Sequence, residues 1–299
     1  MKREKKVITR RDFLRGSAYA ALFGSLGFLA KPGETFEEEK KVKVILVRHQ
    51  DALDSNSNPN YEVIQLMLDQ AVTAITGETN PIDAWRHFIK PGDIVGIKSN
   101  VWRPIPTSEE VEQAIKKRVM DVGVPESNID ISDRGVRRSP IFKKATALIN
   151  ARPLRTHHWS GIGGCIKNYI QFVSRPSAYH GDSCANLAAI WNKTGVKEKT
   201  RLNILVALTP LFHGIGPHHY NPAYVWSYKG MLVSKDPVAV DAIGVHLLQA
   251  KRRSYFGADK PLAVPPKHIV VADKKHKLGI SDLNKIELVK IGWQKDILI

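Results

Sequence analysis

Short runs of apolar residues alternate along the chain with segments whose apolar residues recur at helical spacing. The run at 44–47 is apolar throughout, which is typical of a strand buried on both faces. The segment 64–75 carries apolar residues three and four positions apart and is followed by Gly77, a residue type that commonly ends helices. These patterns predict strands at 44–47, 94–98, 129–131, 147–149, 202–207, 231–233 and 268–271. They predict helices at 64–75, 107–122 and 237–249, the last capped by Asp236 with a proline at its first position.

Strands that alternate with helices predict an α/β fold, with a mainly parallel layered sheet and helices on both of its faces. No stretch after residue 43 has the composition of a linker that would divide the chain. We therefore predict a single α/β domain over residues 44–299. The preceding segment, 32–43, is rich in charged residues and is predicted to be a linker.

The first 31 residues have the layout of an export signal. Basic residues come first, then adjacent Arg10 and Arg11, then an apolar run at 18–30, which is the order found in secretory signals. The paired arginines, followed by Phe13 and Leu14, resemble the twin-arginine type of signal, which exports folded proteins. The apolar run is shorter than the roughly 20 residues of a membrane-spanning helix. We expect delivery to the periplasm or cell envelope by the twin-arginine machinery, with membrane contact only through this segment, whether or not it is cleaved.

The net charge of the chain indicates which kinds of partner it binds. The 299 residues carry a formal net charge of +16, of which residues 1–31 contribute +6. The remaining basic residues are scattered and form no run of five or six, so we expect no nucleic-acid partner. A basic surface outside the membrane instead favours anionic lipid, cell-wall polymer or a small anionic substrate.

Two cysteines, Cys165 and Cys184, are the only ones in the chain, and they are not spaced as a CxxC pair. Two thiols cannot complete a four-cysteine cluster, so we expect no iron–sulfur cluster. After export the two could form a disulfide, whereas folding in the reducing cytoplasm would leave two free thiols. The sequence leaves both alternatives open.

Polar residues follow the predicted strands, at the edge where open α/β sheets bind ligands. Lys98 and Asn100 follow one strand, and Asp133 follows the next. The densest group lies at 155–168 and comprises Arg155, His157, Gly163, Gly164, Lys167 and Asn168. Glycines let backbone N–H groups approach a ligand, and a helix that begins near Gly163 would favour an anion at its N-terminus. The sequence therefore predicts one site for a small anion at this turn.

Three segments resemble the family known as domain of unknown function 362. They are Ile97-Lys98-Ser99-Asn100, the residues from Arg155 to Asn168, and the segment at 232–241, which reads Leu-Val-Ser-Lys-Asp-Pro-Val-Ala-Val-Asp. The resemblance spans roughly residues 44–279. The chain departs from the family at Arg155, where lysine is usual, and at Cys165, where a small apolar residue is usual. Because the family has no settled activity, this resemblance implies no particular reaction.

A second resemblance is to the nickel-pincer lactate racemases, to which the arrangement of His157, Gly163-Gly164, Lys167 and His180 is similar. It implies that His157 is a proton acceptor and that His180 ligates nickel or another divalent metal. It further implies that Lys167, with Gly163 and Gly164, holds a tethered pyridinium-derived cofactor. The similarity is equally compatible with a shared fold in which this chemistry has been lost, so the cofactor stays unknown.

Two hypotheses from different classes follow. In the first, the protein is an enzyme that acts on a small anionic, 2-hydroxy-acid-like substrate. His157 is then the catalytic base and Lys167 the cofactor anchor or anion partner. The substrate is bound by Lys98, Asn100, Arg155 and Asn168. In the second, the protein is a non-catalytic envelope protein that holds an anionic ligand at the same turn.

Overall fold

The computed structural model describes residues 41–214 and 219–299. The predicted export signal at 1–31 and the linker residues 32–40 lie outside the described residues. The last two residues assigned to the linker, Val42 and Lys43, belong to the first strand.

One sheet holds all eight strands of the described part of the chain. They are β1 (Val42–Arg48), β2 (Val95–Lys98), β3 (Ile129–Ser132), β4 (Ala147–His157), β5 (Gly161–Gly163), β6 (Thr200–Leu211), β7 (Gly230–Ser234) and β8 (Ile286–Gly292). The strand order is β3-β2-β4-β6-β7-β1-β8, with β5 paired to β4. Strands β3, β2, β4 and β6 run parallel, as do β1 and β8. Strand β7 is antiparallel to both of its neighbours, and β5 is antiparallel to β4. The predicted mainly parallel α/β sheet is confirmed.

Ten helical segments accompany the sheet within the described residues. They are α1 (Tyr61–Thr76), α2 (Pro81–Arg86), α3 (Glu109–Asp121), α4 (Pro140–Lys144), α5 (Cys165–Asn168), α6 (Gly181–Cys184), α7 (Ala188–Lys193), α8 (Val196–Lys199), α9 (Pro237–Phe256) and α10 (Lys267–Lys274). Gly77 adopts a left-handed conformation and ends α1, as predicted. Asp236 caps α9 by accepting from the N–H groups of Val238 and Ala239, also as predicted.

Apolar side chains cover both faces of the sheet. Alternate residues of β1 point to opposite sides, so that Ile45 and Val47 join one core and Val44 and Leu46 join the other. The first core is completed by α1, α2 and α3, and the second by α5, α7, α9 and α10. Burial on both faces explains why the strands read as continuous apolar runs.

Two predicted strands differ from the structure. The segment 268–271, predicted as a strand, lies in helix α10. Its four-residue run is too short to separate a strand from a buried helical turn, and the prolines at 265 and 266 precede the helix as they often do. The strand predicted at 147–149 extends to His157 as β4, because it continues through buried polar residues such as Asn150 and Arg152 that a hydrophobic pattern does not register.

Among the described residues, no helix combines the length and the apolar composition needed to cross a membrane.

Candidate functional site

The carboxyl ends of β2 and β3 bring a lysine and an aspartate together inside the protein. Lys98 ends β2, Asp133 directly follows β3, and the Lys98 Nζ atom lies 2.5 Å from Asp133 Oδ1. The same amine donates to the carbonyl of Ser99 at 2.6 Å and to Asn168 Oδ1 at 3.3 Å. Burial lowers the pKa of Lys98 to about 8, and the Asp133 charge opposes that shift. Burial acts to raise the pKa of Asp133, but the Lys98 charge outweighs it, so the pKa is lowered.

A chain of buried amides joins this ion pair to the next strands. Asn168 Nδ2 donates to Asn150 Oδ1 at 2.8 Å, and Asn150 Nδ2 donates to Asn203 Oδ1 at 3.0 Å. The three side chains lie on α5, β4 and β6, and each is at most 1% exposed. Because every bond depends on the next, the network fixes α5 against the sheet.

Arg155 and Asn100, both predicted to bind substrate, are hydrogen-bonded to each other. The two terminal nitrogens of the Arg155 guanidinium lie 3.1 Å from Asn100 Oδ1. The guanidinium also stacks over the ring of Trp102, 4.3 Å from the ring centroid. Its Nε atom has no hydrogen-bond partner within the described residues. These contacts orient the guanidinium group of Arg155. Within the described residues, no carboxylate pairs with its positive charge.

The glycine turn was predicted to bind an anion, and the anion that it binds is a carboxylate of the chain itself. Gly164 is the N-cap of α5, and the N–H groups of Cys165 and Ile166 donate to Asp241 at 2.6 and 2.9 Å. Burial raises the pKa of Asp241 to about 7, although both N–H groups favour its charged form. A methyl group at residue 164 would lie 2.3 Å from Asp241 Oδ1, so only glycine allows this approach. These two N–H groups are therefore not available to an external ligand.

Lys167 lies beside a cysteine rather than a carboxylate. Its Nζ atom is 3.6 Å from the Sγ atom of Cys184, and the residue is 3% exposed. Cys184 ends α6, where Asp182, Ser183 and Cys184 have φ values of 46°, 55° and 61°. Three consecutive left-handed residues other than glycine are strained, and such strain clusters at functional sites. Burial lowers the pKa of Lys167 to about 8 and raises that of Cys184.

His157, the predicted base, ends β4 and is 7% exposed. Its Nδ1 atom accepts the N–H of Trp159 at 3.2 Å, so a neutral ring carries its proton on Nε2. Burial, followed by the charges of Lys167 and Arg152, lowers the pKa of His157 and keeps the ring neutral. His180 stacks on Trp159 with ring centroids 3.8 Å apart. Burial, with the charge of Lys167, lowers the pKa of His180 to about 4.

Two buried residues of the site were missed by the sequence analysis. Arg152, in the middle of β4, is 4% exposed and lies within electrostatic reach of Asp133, Asp241 and both thiols. Its Nη2 atom would lie 3.1 Å from a methyl group at position 163, which accounts for Gly163. His268, on α10, is fully buried, and burial lowers its pKa to about 3, with further lowering by Lys167 and Arg152. Neither residue stands in a polar motif, which is why only the structure reveals them.

The model of the family described as Domain of unknown function (DUF362) matches residues 95–246, just over half of the chain. The chain belongs to the DUF362 family. No curated protein and no solved structure matches it. The DUF362 match begins at β2 and ends within α9, so it includes Lys98, His157, Lys167 and Asp241 but leaves His268 outside.

The structure brings the predicted residues of this DUF362 protein into two adjoining groups. Lys98 and Asn168 form the first with Asp133. His157, Lys167 and His180 form the second, since the charge of Lys167 acts on both histidines. Arg152 lies within electrostatic reach of both groups. The described residues contain no group of three or more His, Cys, Asp or Glu side chains arranged to hold a metal ion. Cys165 and Cys184 are both buried free thiols, so of the two alternatives the structure has the unbridged one.

Proposed function

We propose that this DUF362 protein binds a small carboxylate at the group formed by Arg152, Arg155, His157 and Lys167, and acts on it as an enzyme. The observation that carries the proposal is unmatched positive charge in the interior. Within the described residues, the buried cations Lys98, Arg152, Arg155 and Lys167 share two buried carboxylates, Asp133 and Asp241, and the half-buried Glu112 acts on Lys98. Asp133 is paired with Lys98, and Asp241 accepts the two N–H groups at the start of α5.

Unpaired buried charge costs several kcal/mol per ion, so its presence needs a counter-charge. Within the described residues, no carboxylate oxygen lies within 4.0 Å of a charged nitrogen of Arg152, Arg155 or Lys167. Burial lowers the pKa of both guanidinium groups, yet arginine starts from so high a pKa that it stays charged. A bound carboxylate offsets this charge, and guanidinium groups recognise carboxylates in particular.

His157 and Lys167 supply the chemistry in this proposal. Burial is the larger cause of the lowered pKa of His157, and the charges of Lys167 and Arg152 lower it further. A carboxylate that neutralises these two charges removes the second contribution, so the ring becomes a better proton acceptor when substrate is bound. The hydrogen bond from Trp159 to Nδ1 leaves Nε2 facing away from it as a proton donor in the neutral ring. To act as a base, His157 must therefore give up the hydrogen bond from Trp159, which frees the Nδ1 lone pair for the substrate's proton.

The cofactor implied by the racemase resemblance fits these residues in two respects. Burial keeps a fraction of the Lys167 amines neutral, as attachment of a group to that nitrogen needs, and His180 is a neutral imidazole able to ligate a metal. Because the described residues offer no three-ligand metal cluster, the remaining donors would come from the bound group itself. A cofactor of this kind would supply an acceptor for the hydrogen at the substrate's C2 atom.

A second candidate function is a non-catalytic envelope protein that holds the same anion. The hydrogen bond from Trp159 to His157 favours it, because the neutral ring then serves as a donor to the anion rather than as a base. The two candidates predict the same binding and differ only in turnover.

Calorimetric titration with L-lactate and with its uncharged amide, lactamide, tests the anion site. We expect lactate to bind and lactamide not to bind, and the K167M variant to weaken lactate binding at least about tenfold, or about 1.4 kcal/mol. The matched control is K143M, which removes a lysine that is exposed on α4. Equal binding of lactate and lactamide, or no effect of K167M beyond that of K143M, would contradict the anion site. Protein purified from its own host and incubated with L-lactate in deuterated water then separates the functions, since exchange of the C2 hydrogen requires an enzyme.

We further propose that the protein is exported through the twin-arginine machinery to the periplasm or cell envelope. The supporting observation is the order of residues at 1–31, with Arg10 and Arg11 before the apolar run. Replacing both arginines with lysine keeps the charge and should leave the protein in the cytoplasm, as cell fractionation measures. Unchanged delivery of the double variant would refute the export route.

A further inference from the structure

Two buried lysines in this site differ in their surroundings. The ammonium group of Lys98 has three acceptors within 3.3 Å, one of them the Asp133 carboxylate, and is held as a structural cation. Within the described residues, the one hydrogen-bonding partner of the Lys167 amine is the Cys184 sulfur, at 3.6 Å, a weak acceptor. With no carboxylate to hold its proton, Lys167 is the lysine of this pair whose amine can act as a nucleophile.

Burial favours the neutral form of Lys167, and two nearby guanidinium groups act in the same direction. Arg152 and Arg155 lie within electrostatic reach and lower its pKa, while the Cys184 thiol acts in the opposite direction. A lysine that is desolvated and placed beside other cations is one of the recognised routes to a nucleophilic amine. The same two arginines would hold the carboxylate of a molecule that reacts with that amine.

Two polar groups near Lys167 point to a ligand. Neither ring nitrogen of His268 has a hydrogen-bond partner within the described residues, although the side chain is fully buried. The Nε atom of Arg152 is likewise without a partner in this part of the chain, and the residue is 4% exposed. Buried polar atoms are nearly always satisfied, and two unsatisfied groups within electrostatic reach of the Lys167 amine point to a missing polar molecule.

We propose that the Lys167 amine forms an imine with a 2-oxo carboxylic acid, whose carboxylate is held by Arg152 and whose remaining polar atoms are met by His268. The inference rests on the proposed anion site and adds a substrate class to it. It requires a free Lys167 amine, so it applies to the chain without a cofactor tethered at that nitrogen. In the step, the Lys167 nitrogen attacks the carbonyl carbon and the resulting carbinolamine loses water. The oxygen of the carbonyl leaves with the two hydrogens of the amine, a C=N bond replaces the C=O bond, and no oxidant or reductant is needed.

The imine gives the site a chemical capacity that a binding protein lacks. Once protonated, it draws electrons from the substrate's C2 atom, so C3–H bonds become acidic. Cys184, placed against Lys167 by the strained turn at Asp182–Cys184, is a positioning residue in this account.

Reductive trapping tests the inference. The full chain is incubated with pyruvate and sodium cyanoborohydride, and the adduct is located by intact mass and peptide mapping. We expect a single adduct on the peptide that contains Lys167, at least about tenfold above any other lysine peptide. L-lactate, which lacks the carbonyl, should give no adduct and should compete with pyruvate.

The pH dependence provides a second readout. Trapping at Lys167 should rise with pH and level off above about pH 8, since only the neutral amine attacks. The titratable and charged groups that face this amine are Cys184, Arg152, Arg155, His157, His180 and His268. Of these, the histidines are held neutral by burial across this pH range.

The K167R variant should lose the adduct, whereas K143R, at an exposed position, should keep it. If the adducts in the native chain are spread over surface lysines, the inference is wrong. Because this outcome needs no variant, the test is valid even if K167R does not fold. Lactate binding by calorimetry without a pyruvate adduct leaves the anion site standing and refutes the imine. Absence of both refutes the anion site as well.

Discussion

Replacing Gly164 with alanine should lower the free energy of unfolding by about 3–5 kcal/mol. The added methyl group would lie 2.3 Å from Asp241 Oδ1 and 2.5 Å from Cγ, which is closer than any real carbon contact. Since Asp241 is fully buried on the first turns of α9, its carboxylate has no room to retreat. Moving it would leave the N–H groups of Cys165 and Ile166 buried without an acceptor.

Urea denaturation followed by circular dichroism measures this effect. The matched control is Gly92→Ala, because a methyl group at Gly92 would meet nothing within 4 Å and Gly92 lacks a left-handed φ. We expect the control to change stability by no more than about 0.5 kcal/mol. Equal midpoints for the two alanine variants would show that the contact between Gly164 and Asp241 does not constrain the fold.

Replacing Asp133 with alanine should destabilise the protein by about 3–5 kcal/mol, because it leaves the Lys98 ammonium buried without its counter-charge. Lys98 is fully buried, and the variant also removes the acceptor of the Val101 N–H group. The control is Asp259→Ala, which breaks the exposed ion pair with Arg253 and should cost at most about 1 kcal/mol. The double variant D133A/K98M should recover part of the loss, since it buries no unpaired charge.

The same ion pair predicts a pH dependence. The folded-state pKa of Asp133 lies below the ordinary value of 3.8, so its contribution to stability is present above about pH 4 and is lost as pH falls through the lower, folded-state value. The difference in stability between the native chain and D133A should therefore shrink as pH falls below about 4, because the native chain loses the contribution of the Asp133–Lys98 pair there and the variant has none to lose. Superimposable acid transitions in D133A and the native chain, once corrected for the difference at pH 7, would contradict this assignment.

Much of the architecture was predictable because it depends on local patterns. The apolar run of β1, the helical spacing of α1 before Gly77 and the Asp236 cap of α9 are each set by neighbouring residues, and the structure contains all three. The α/β class followed from their alternation. The location of polar residues at strand ends was also readable, since carboxyl ends of parallel strands share one edge of a sheet.

The two strands that were predicted incorrectly show what local sequence patterns cannot predict. Residues 268–271 form a helix because α10 packs its apolar side on the core beside α9, an arrangement that four residues cannot encode. Strand β4 continues to His157 because its polar side chains find partners on α5, β6 and the loop after β2. Burial of a polar residue depends on partners that are distant in the sequence, so its own residue type does not predict it.

By itself, the sequence determined the α/β class, the apolar strands and the capped helices, and it indicated the turn from Arg155 to Asn168 as the candidate site. Only the tertiary structure decided which groups neutralise one another there. Lys98 meets Asp133 and the glycine turn meets Asp241, whereas Lys167 meets only a thiol and His268 meets no hydrogen-bond partner within the described residues. The physical reason is that a buried charge is defined by what surrounds it in space. Asp241 accepts a hydrogen bond from the N–H group of Cys165, which lies 76 residues earlier in the chain. No local sequence pattern relates residues so far apart.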